Sequence, residues 1–145
     1  MSSPDKPAER ASIAAVRLRR HSDYQRAYAA ARKRQSSSMS WFLAAQQAQA
    51  LPEVLRPNGP RVGLTVGKVL GKAHERNRIK RRMRDILRRH LQLLPPNSDL
   101  ILHPRRQVLT MDFRKLEAEV VRILEQAQAD ASRAPRGPAL PTPAS

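Results

Sequence analysis

Hydrophobic positions in this chain fall into six runs, and the spacing within each predicts an element. Ile79, Met83, Ile86, Leu87, Leu91 and Leu94 recur at offsets 0, 4, 7, 8, 12 and 15, the period of a helix with one stripe for a core. That helix spans residues 68–90 and ends before Pro95-Pro96. Upstream, Val62, Leu64 and Val66 alternate with Gly63 and Thr65, which predicts a half-buried strand over Arg61–Val66. Met39–Ala45, with Trp41, Phe42 and Leu43, reads as a strand, although Ala44–Ala50 alone looks helical, and Asp99–Leu102 reads as a short buried strand. Ser22 with Gln25 is a capping-box signal opening a short helix in which Tyr24, Ala27, Tyr28 and Ala31 share a face. Arg32, Lys33 and Arg34 close that helix at the negative end of its dipole. Thr110 or Asp112 caps a final helix with a stripe of Phe113, Leu116, Val120, Val121 and Leu124. The order helix, strand, strand, helix, strand, helix is an α+β pattern in which helices cover one sheet.

Breakers divide these runs. Pro52, Pro57, Asn58, Gly59 and Pro60 mark a loop, and Gly67 and Gly71 bound a turn before the long helix. Residues 1–15 are rich in Ser, Ala and Pro, and residues 129–145 hold Pro135, Pro138, Pro141 and Pro143 with little to bury. Both ends are therefore expected to be disordered tails. One folded domain over 16–128 remains, a usual size for a single core.

Charge changes the picture. The chain carries 28 Lys and Arg against 12 Asp and Glu, a net +16, which calls for a phosphate-rich partner. Residues 68–90 alone hold ten basic and two acidic residues, half of that excess. At about 100° per residue, Arg78, Arg81, Arg82 and Arg89 fall opposite the apolar stripe, with Arg84 and Arg88 on a flank. Like charges on neighbouring turns repel, and a polyanion relieves the repulsion. A membrane surface is the competing polyanion. However, no apolar run reaches the 18 or so residues of a spanning helix, and the amphipathic helix lacks Trp or Phe on its apolar face. The chain has no cysteine, which excludes disulfides, thiolate metal sites and thiol nucleophiles. The first 20 residues make no secretory signal, so the cytoplasm is the expected compartment. Four histidines, 21, 74, 90 and 103, are scattered without metal-ligand spacing. His90, on the apolar face, reads as packed. No Ser-His-Asp set, Gly-rich phosphate loop or paired carboxylates stand out, so neither a catalytic side chain nor a metal site is expected in the protein.

The stretch GKVLGKAHERNRIKRRMRD resembles the signature of the bacterial ribonuclease P protein subunit. The matching positions are Lys68, Gly71, Ala73, Arg76, Asn77, Arg78, Lys80, Arg81, Arg84 and, conservatively, Asp85. The likeness extends over roughly residues 17–126. Ser22–Tyr28 is similar to the family's aromatic first helix, with Tyr where Phe is usual. The chain departs at Gly67-Lys68-Val69, where the family has Ser-Lys-Lys, and at Lys72, where it has a small polar residue. The resemblance implies a two-layer α/β sandwich with a central four-stranded sheet and a left-handed β-α-β crossover, like domain 2 of ribosomal protein S5. Most such crossovers are right-handed, so composition alone gives no hint of this one.

It also implies a role, assisting a catalytic RNA that removes the 5′ leader from precursor tRNA, and with it the protein's partners. Those partners are the catalytic RNA and precursor tRNA, with one protein per RNA. Hydrolysis belongs to the RNA with its bound Mg²⁺, and the protein needs no cofactor. Lys68, Lys72, Arg76, Asn77, Arg78, Lys80, Arg81, Arg82, Arg84 and Arg89 are the expected RNA contacts, since Lys and Arg supply affinity through phosphate oxygens. Arg76 is in phase with the apolar stripe, so it sits on the first turn or points into a groove. Asn77 is as well suited to capping that turn as to touching RNA. The single-stranded leader is expected in a cleft between first helix and sheet, lined by Tyr24, Tyr28 and Trp41, because bases stack on aromatics beside a positive groove. Core packing is the competing role for the tyrosines. Trp41 and Phe42 point to opposite strand faces, so one is core and the other is free to line the cleft. Two other classes fit the charge: a structural ribosomal-type protein, and a DNA-binding protein with its helix in the major groove. The second needs a dimerising zipper, and the leucines stop at Pro95.

Overall fold

The computed structural model describes residues 13–47, 51–55, 57 and 59–133. The expected tails lie outside these residues except at their inner ends. In chain order come α1 (His21–Ala30), β1 (Arg32–Gln35), β2 (Met39–Ala45), β3 (Arg61–Leu64), α2 (Ala73–Arg89), β4 (Ser98–Pro104) and α3 (Phe113–Arg133), with short 3-10 turns between them. The four strands form one sheet in the order β1-β2-β4-β3. β1 with β2 and β2 with β4 are antiparallel, while β3 and β4 are parallel. A parallel pair requires a crossover, and α2 provides it.

Strand alternation sorts the core into two parts. Trp41 opposite Leu102 and Leu43 opposite Leu100 face the side covered by α2 and α3, where Ile79, Met83, Ile86, Leu116, Val120 and Leu124 are buried. Each such side chain contributes about 1.5–3 kcal/mol on burial. Phe42, Ala44 and Ile101 face the other way and meet Leu18 and Ala27 of the α1 region. The sheet is thus central: α2 and α3 form the second layer on one face, and α1 adds a partial layer on the other.

Several sequence expectations change. Arg32–Arg34 do not close the first helix. The helix stops at Ala30, Ala31 is extended, and Arg32–Gln35 pair with Leu43–Ser40 as an edge strand. A strand with one free edge and largely exposed side chains needs no apolar alternation, and charge on an edge is favourable. Ser22 does not cap α1. The residue before it is Arg20, without a side-chain cap, and its carbonyl accepts from the N–H groups of Asp23 and Tyr24. The long basic helix begins at Ala73 rather than 68, because Lys68–Leu70 make a separate 3-10 turn. It ends at Arg89, and Leu91 lies in another such turn. At the C-terminal end α3 runs to Arg133, into the segment assigned to the tail, and at the other end Ile13–Val16 form a 3-10 turn.

Two buried carboxylates of α3 explain its reach. Glu119, 4% exposed, accepts hydrogen bonds from the hydroxyls of Ser36, Ser37 and Ser38 and from the Ser38 N–H. This ties α3 to the loop joining β1 and β2. Arg105 holds the same loop from β4's end, donating to the carbonyls of Ser36 and Ser37. Asp130 pairs with Arg34 of β1 at 3.0 Å. A third network lies under α1, where Arg61 grips Asp99 through two nitrogens at 2.9 Å each and reaches Asp23 at 3.2 Å.

These carboxylates make stability depend on acid. For Glu119, burial pushes the carboxyl up, but the hydrogen bonds from Ser36–Ser38 outweigh it and the net shift is downward. Glu75, bonded by Arg106 and by the Lys72 N–H, is lowered from 4.5 to about 2. A depressed carboxyl stabilises the fold above its unfolded pKa and loses that contribution as pH falls. Urea unfolding should therefore show stability dropping below pH 4.5 toward about 2, with a shallower drop in E75Q/E119Q. Parallel pH profiles for the two proteins would remove these residues from the account.

Candidate nucleic-acid interface

The interface begins at the turn before α2. Gly67 opens the Lys68–Leu70 turn and Gly71 closes it with φ +137°, a conformation that favours glycine. A Cβ at Gly71 would also run into the Arg106 guanidinium and the Glu75 carboxylate. Glu75 accepts from the Lys72 N–H at 2.9 Å, half of a capping box at the start of α2. Arg106 reaches Glu75 and the Leu70 carbonyl, at 2.9 and 2.7 Å. Arg76, the residue in phase with the core stripe, folds back so that its Nε donates to the Gly71 carbonyl at 3.1 Å. The turn is thus rigid, with Lys68 and Lys72 exposed upon it. Asn77 is exposed within α2 and takes no part in the cap.

Along α2 the basic residues separate into three groups. Arg81 and Arg88 are exposed opposite the buried stripe. Lys80 and Arg84 flank the side toward β3, where Arg84 lines a groove with Arg17, Tyr24 and Leu64. Arg78, Arg82 and Arg89 lie on the flank toward α3. Arg82, placed on the free face by sequence, instead donates to the Met111 carbonyl and lies over the Phe113 ring at 5.7 Å. Arg89 lies over the same ring at 5.2 Å and pairs with Asp85 and Glu117. The reason is geometric. With Leu91 and Leu94 off the helix, the centre of the apolar stripe rotates by about 20°, which carries Arg82 and Arg89 to the α3 side. Arg78 remains exposed, with its Nε on the Leu109 carbonyl at 3.2 Å.

The cleft lies on the other face of the sheet, under α1. Tyr24 and Tyr28, one helical turn apart, have ring centroids 6.3 Å apart. Tyr28 meets Phe42 edge-on at 5.2 Å, and Phe42 lies 4.9 Å from His103. The Tyr28 hydroxyl is 2.7 Å from His103 Nε2 and 3.2 Å from Thr65 Oγ1. Lys33 of β1 stands over Phe42 at 5.8 Å. Burial and then Lys33 hold His103 below the usual histidine range. Burial and then Tyr28 raise Tyr24. Gly63 makes room for this arrangement: a Cβ there would stand 2.5 Å from the Tyr24 hydroxyl. Trp41 is not in the cleft. It is 3% exposed in the α2–α3 core, because its parity along β2 points it away from α1. Phe42 takes the cleft side.

Comparison with known proteins gives the same answer over most of the chain. Residues 14–128 match the family model described as Ribonuclease P. The chain belongs to the ribonuclease P protein family. It is 33% identical over 107 residues to the ribonuclease P protein component of Thermobifida fusca, covering 72% of this chain and 70% of that one. The Oenococcus oeni protein of the same name is 29% identical over 111 residues, covering 77% and 87%. Among solved structures, the ribonuclease P protein of Thermotoga maritima superposes with a TM-score of 0.63 at 23% identity, covering 76% of this chain and 96% of that one. The Staphylococcus aureus protein superposes at 0.62 and 22%, covering 78% and 95%. As a ribonuclease P protein component, the chain serves tRNA processing with an RNA partner.

For a ribonuclease P protein, the expected surfaces are only partly those found. Lys68, Lys72, Arg78 and Arg81 are exposed on one side, and Tyr24 with Tyr28 lie in the cleft on the other. Sequence reasoning left open whether Trp41 or Phe42 turns to the cleft, and it missed His103, Thr65 and Lys33. Their gathering depends on strand register, in which Lys33 faces Phe42 and Phe42 faces Ile101, and no local pattern announces it. Among the described residues no three His, Asp or Glu side chains are grouped to hold a metal ion, and no helix is long and apolar enough to cross a membrane.

Proposed function

We propose that this protein binds two RNA elements at once: the catalytic RNA on the outer face of α2 and its preceding turn, and the single-stranded 5′ leader of precursor tRNA in the cleft beneath α1. One protein serves one catalytic RNA in the cytoplasm. The RNA, with its own Mg²⁺, carries out phosphodiester hydrolysis. The observation that carries this reading is the pairing of an arginine-rich helix on one face of the sheet with an aromatic cleft on the other. Phosphate contacts on α2 supply affinity without sequence readout, whereas rings beside Lys33 suit unpaired bases, which stack with little sequence preference. A protein that merely neutralised ribosomal RNA would have no use for the second surface.

The test compares precursor tRNA with mature tRNA. Y24A/Y28A should lose roughly 1–3 kcal/mol of binding per stacked base. The loss should appear only when the leader is several nucleotides long, and binding to the catalytic RNA should be kept. Equal losses for mature tRNA, or simple unfolding of the double variant, would return both tyrosines to a packing role.

A further inference from the structure

A second groove, of about 200 Å³, opens at the head of α1 and is lined by Arg17, Arg19, Arg20, Asp23, Pro57 and Arg61 among others. The main chain that carries its first arginines is anchored to the sheet. Arg17 forms a bridge with Val62 of β3, and the Leu18 N–H donates to the Val62 carbonyl at 2.9 Å. Leu18 itself is 1% exposed, so the chain is anchored between the two exposed arginines 17 and 19. Arg20 follows directly, at the start of α1.

The carboxylate in this groove is already committed. Asp23 is bonded to Arg26 and Arg61, and Arg61 is further matched by Asp99. Arg17 and Arg20 have no ion pair among the described residues. The groove thus presents the guanidinium groups of Arg17 and Arg20 beside a carboxylate that is already paired among the described residues, and a guanidinium fork matches phosphate oxygens in two-point fashion.

Its position gives this charge a direction. Arg20 precedes Tyr24 by one helical turn, about 6 Å along the axis. Arg17 lines a further groove together with Tyr24 and Arg84. The arginine groove therefore adjoins the Tyr24 end of the aromatic cleft. We propose that it is a separate phosphate-binding site, taking a backbone phosphate of an RNA strand that runs past Tyr24. Naming that strand the leader rests on the function proposed above, whereas the phosphate chemistry does not.

The experiment uses the full chain and the variants R17A/R20A and R17K/R20K. In the free protein, titration with inorganic phosphate should shift the Nε–H resonances of Arg17 and Arg20, an outcome independent of any role in tRNA processing. With the reconstituted holoenzyme, R17A/R20A should weaken binding of precursor tRNA with a long leader. It should lower the salt slope by about 0.7 units, the contribution of the one single-strand phosphate the site takes. A two-nucleotide leader should bind as in the parent, and R17K/R20K should keep most of the slope. Loss of catalytic-RNA binding instead would uphold a phosphate site while assigning its phosphate to that RNA. Resonances unmoved by phosphate, together with unchanged salt slopes for both RNAs, would overturn the proposal.

Discussion

Alanine at Arg78, Arg81 and Arg84 together should flatten the salt dependence of catalytic-RNA binding by about three units of slope, one for each phosphate contact removed. Over a fourfold rise in salt, that difference amounts to about sixtyfold in relative affinity. None of the three belongs to the buried core, so the circular dichroism spectrum should be kept. Arg82, two residues from Arg84 in sequence, should behave in the opposite way. Its bond to the Met111 carbonyl and its place over Phe113 make it a tie between α2 and α3. Alanine there should cost about 1–2 kcal/mol of stability and leave the salt slope alone. A full loss of slope from Arg82→Ala with no loss of stability would reverse these roles.

Glu119→Ala should be the most damaging loss of a polar group on the α3 side. It removes the acceptor shared by three serine hydroxyls and a backbone N–H. Ser38 is 0% exposed, so its donors are stranded without water. Leaving buried donors unmet costs about 1–3 kcal/mol each, and a total near 3 kcal/mol is expected. Urea titration of the parent, E119A and E119Q measures it, with the amide expected between the other two because it keeps one acceptor oxygen. Protease cleavage at Ser36–Ser38 should rise in the same order. Unfolding midpoints that coincide would mean that Arg105 and the hairpin backbone hold this loop without the carboxylate.

Much of the fold is legible in the sequence because period and burial coincide. The limits of Met39–Ala45 agree with β2, and Ile79, Met83, Ile86 and Leu87 are the buried residues of α2. Legibility fails where an element lacks an apolar signature. β1 is Arg-Lys-Arg-Gln, which after an alanine-rich stretch reads as the basic end of a helix; only the pairing partner makes it a strand. The sites divide in the same way. Charge density marks α2, but which arginines are free depends on where the helix stops and what α3 brings against its flank. Tyr24 and Tyr28 are visible as a helical pair, whereas Phe42 and His103 join them through the sheet. Alternation shows that Trp41 and Phe42 must part company, and only the placement of α1 says which goes where.

The bond between Ser36 and Glu119 spans 83 residues of sequence, which has a consequence for synthesis on the ribosome. The β1–β2 hairpin emerges early, yet the helix that locks its loop comes last. At 5–20 residues per second, the interval is roughly 4–17 s. The pairing of Arg34 with Asp130 must wait still longer. Throughout that interval β1 is an edge strand of a hairpin whose loop is not yet locked, the kind of surface on which chains can join one another. Arg32, Lys33 and Arg34 supply the protection: two hairpins meeting edge to edge would bring like charges together. The same charges guard the edge afterwards, since β1 is still the outermost strand of the finished sheet.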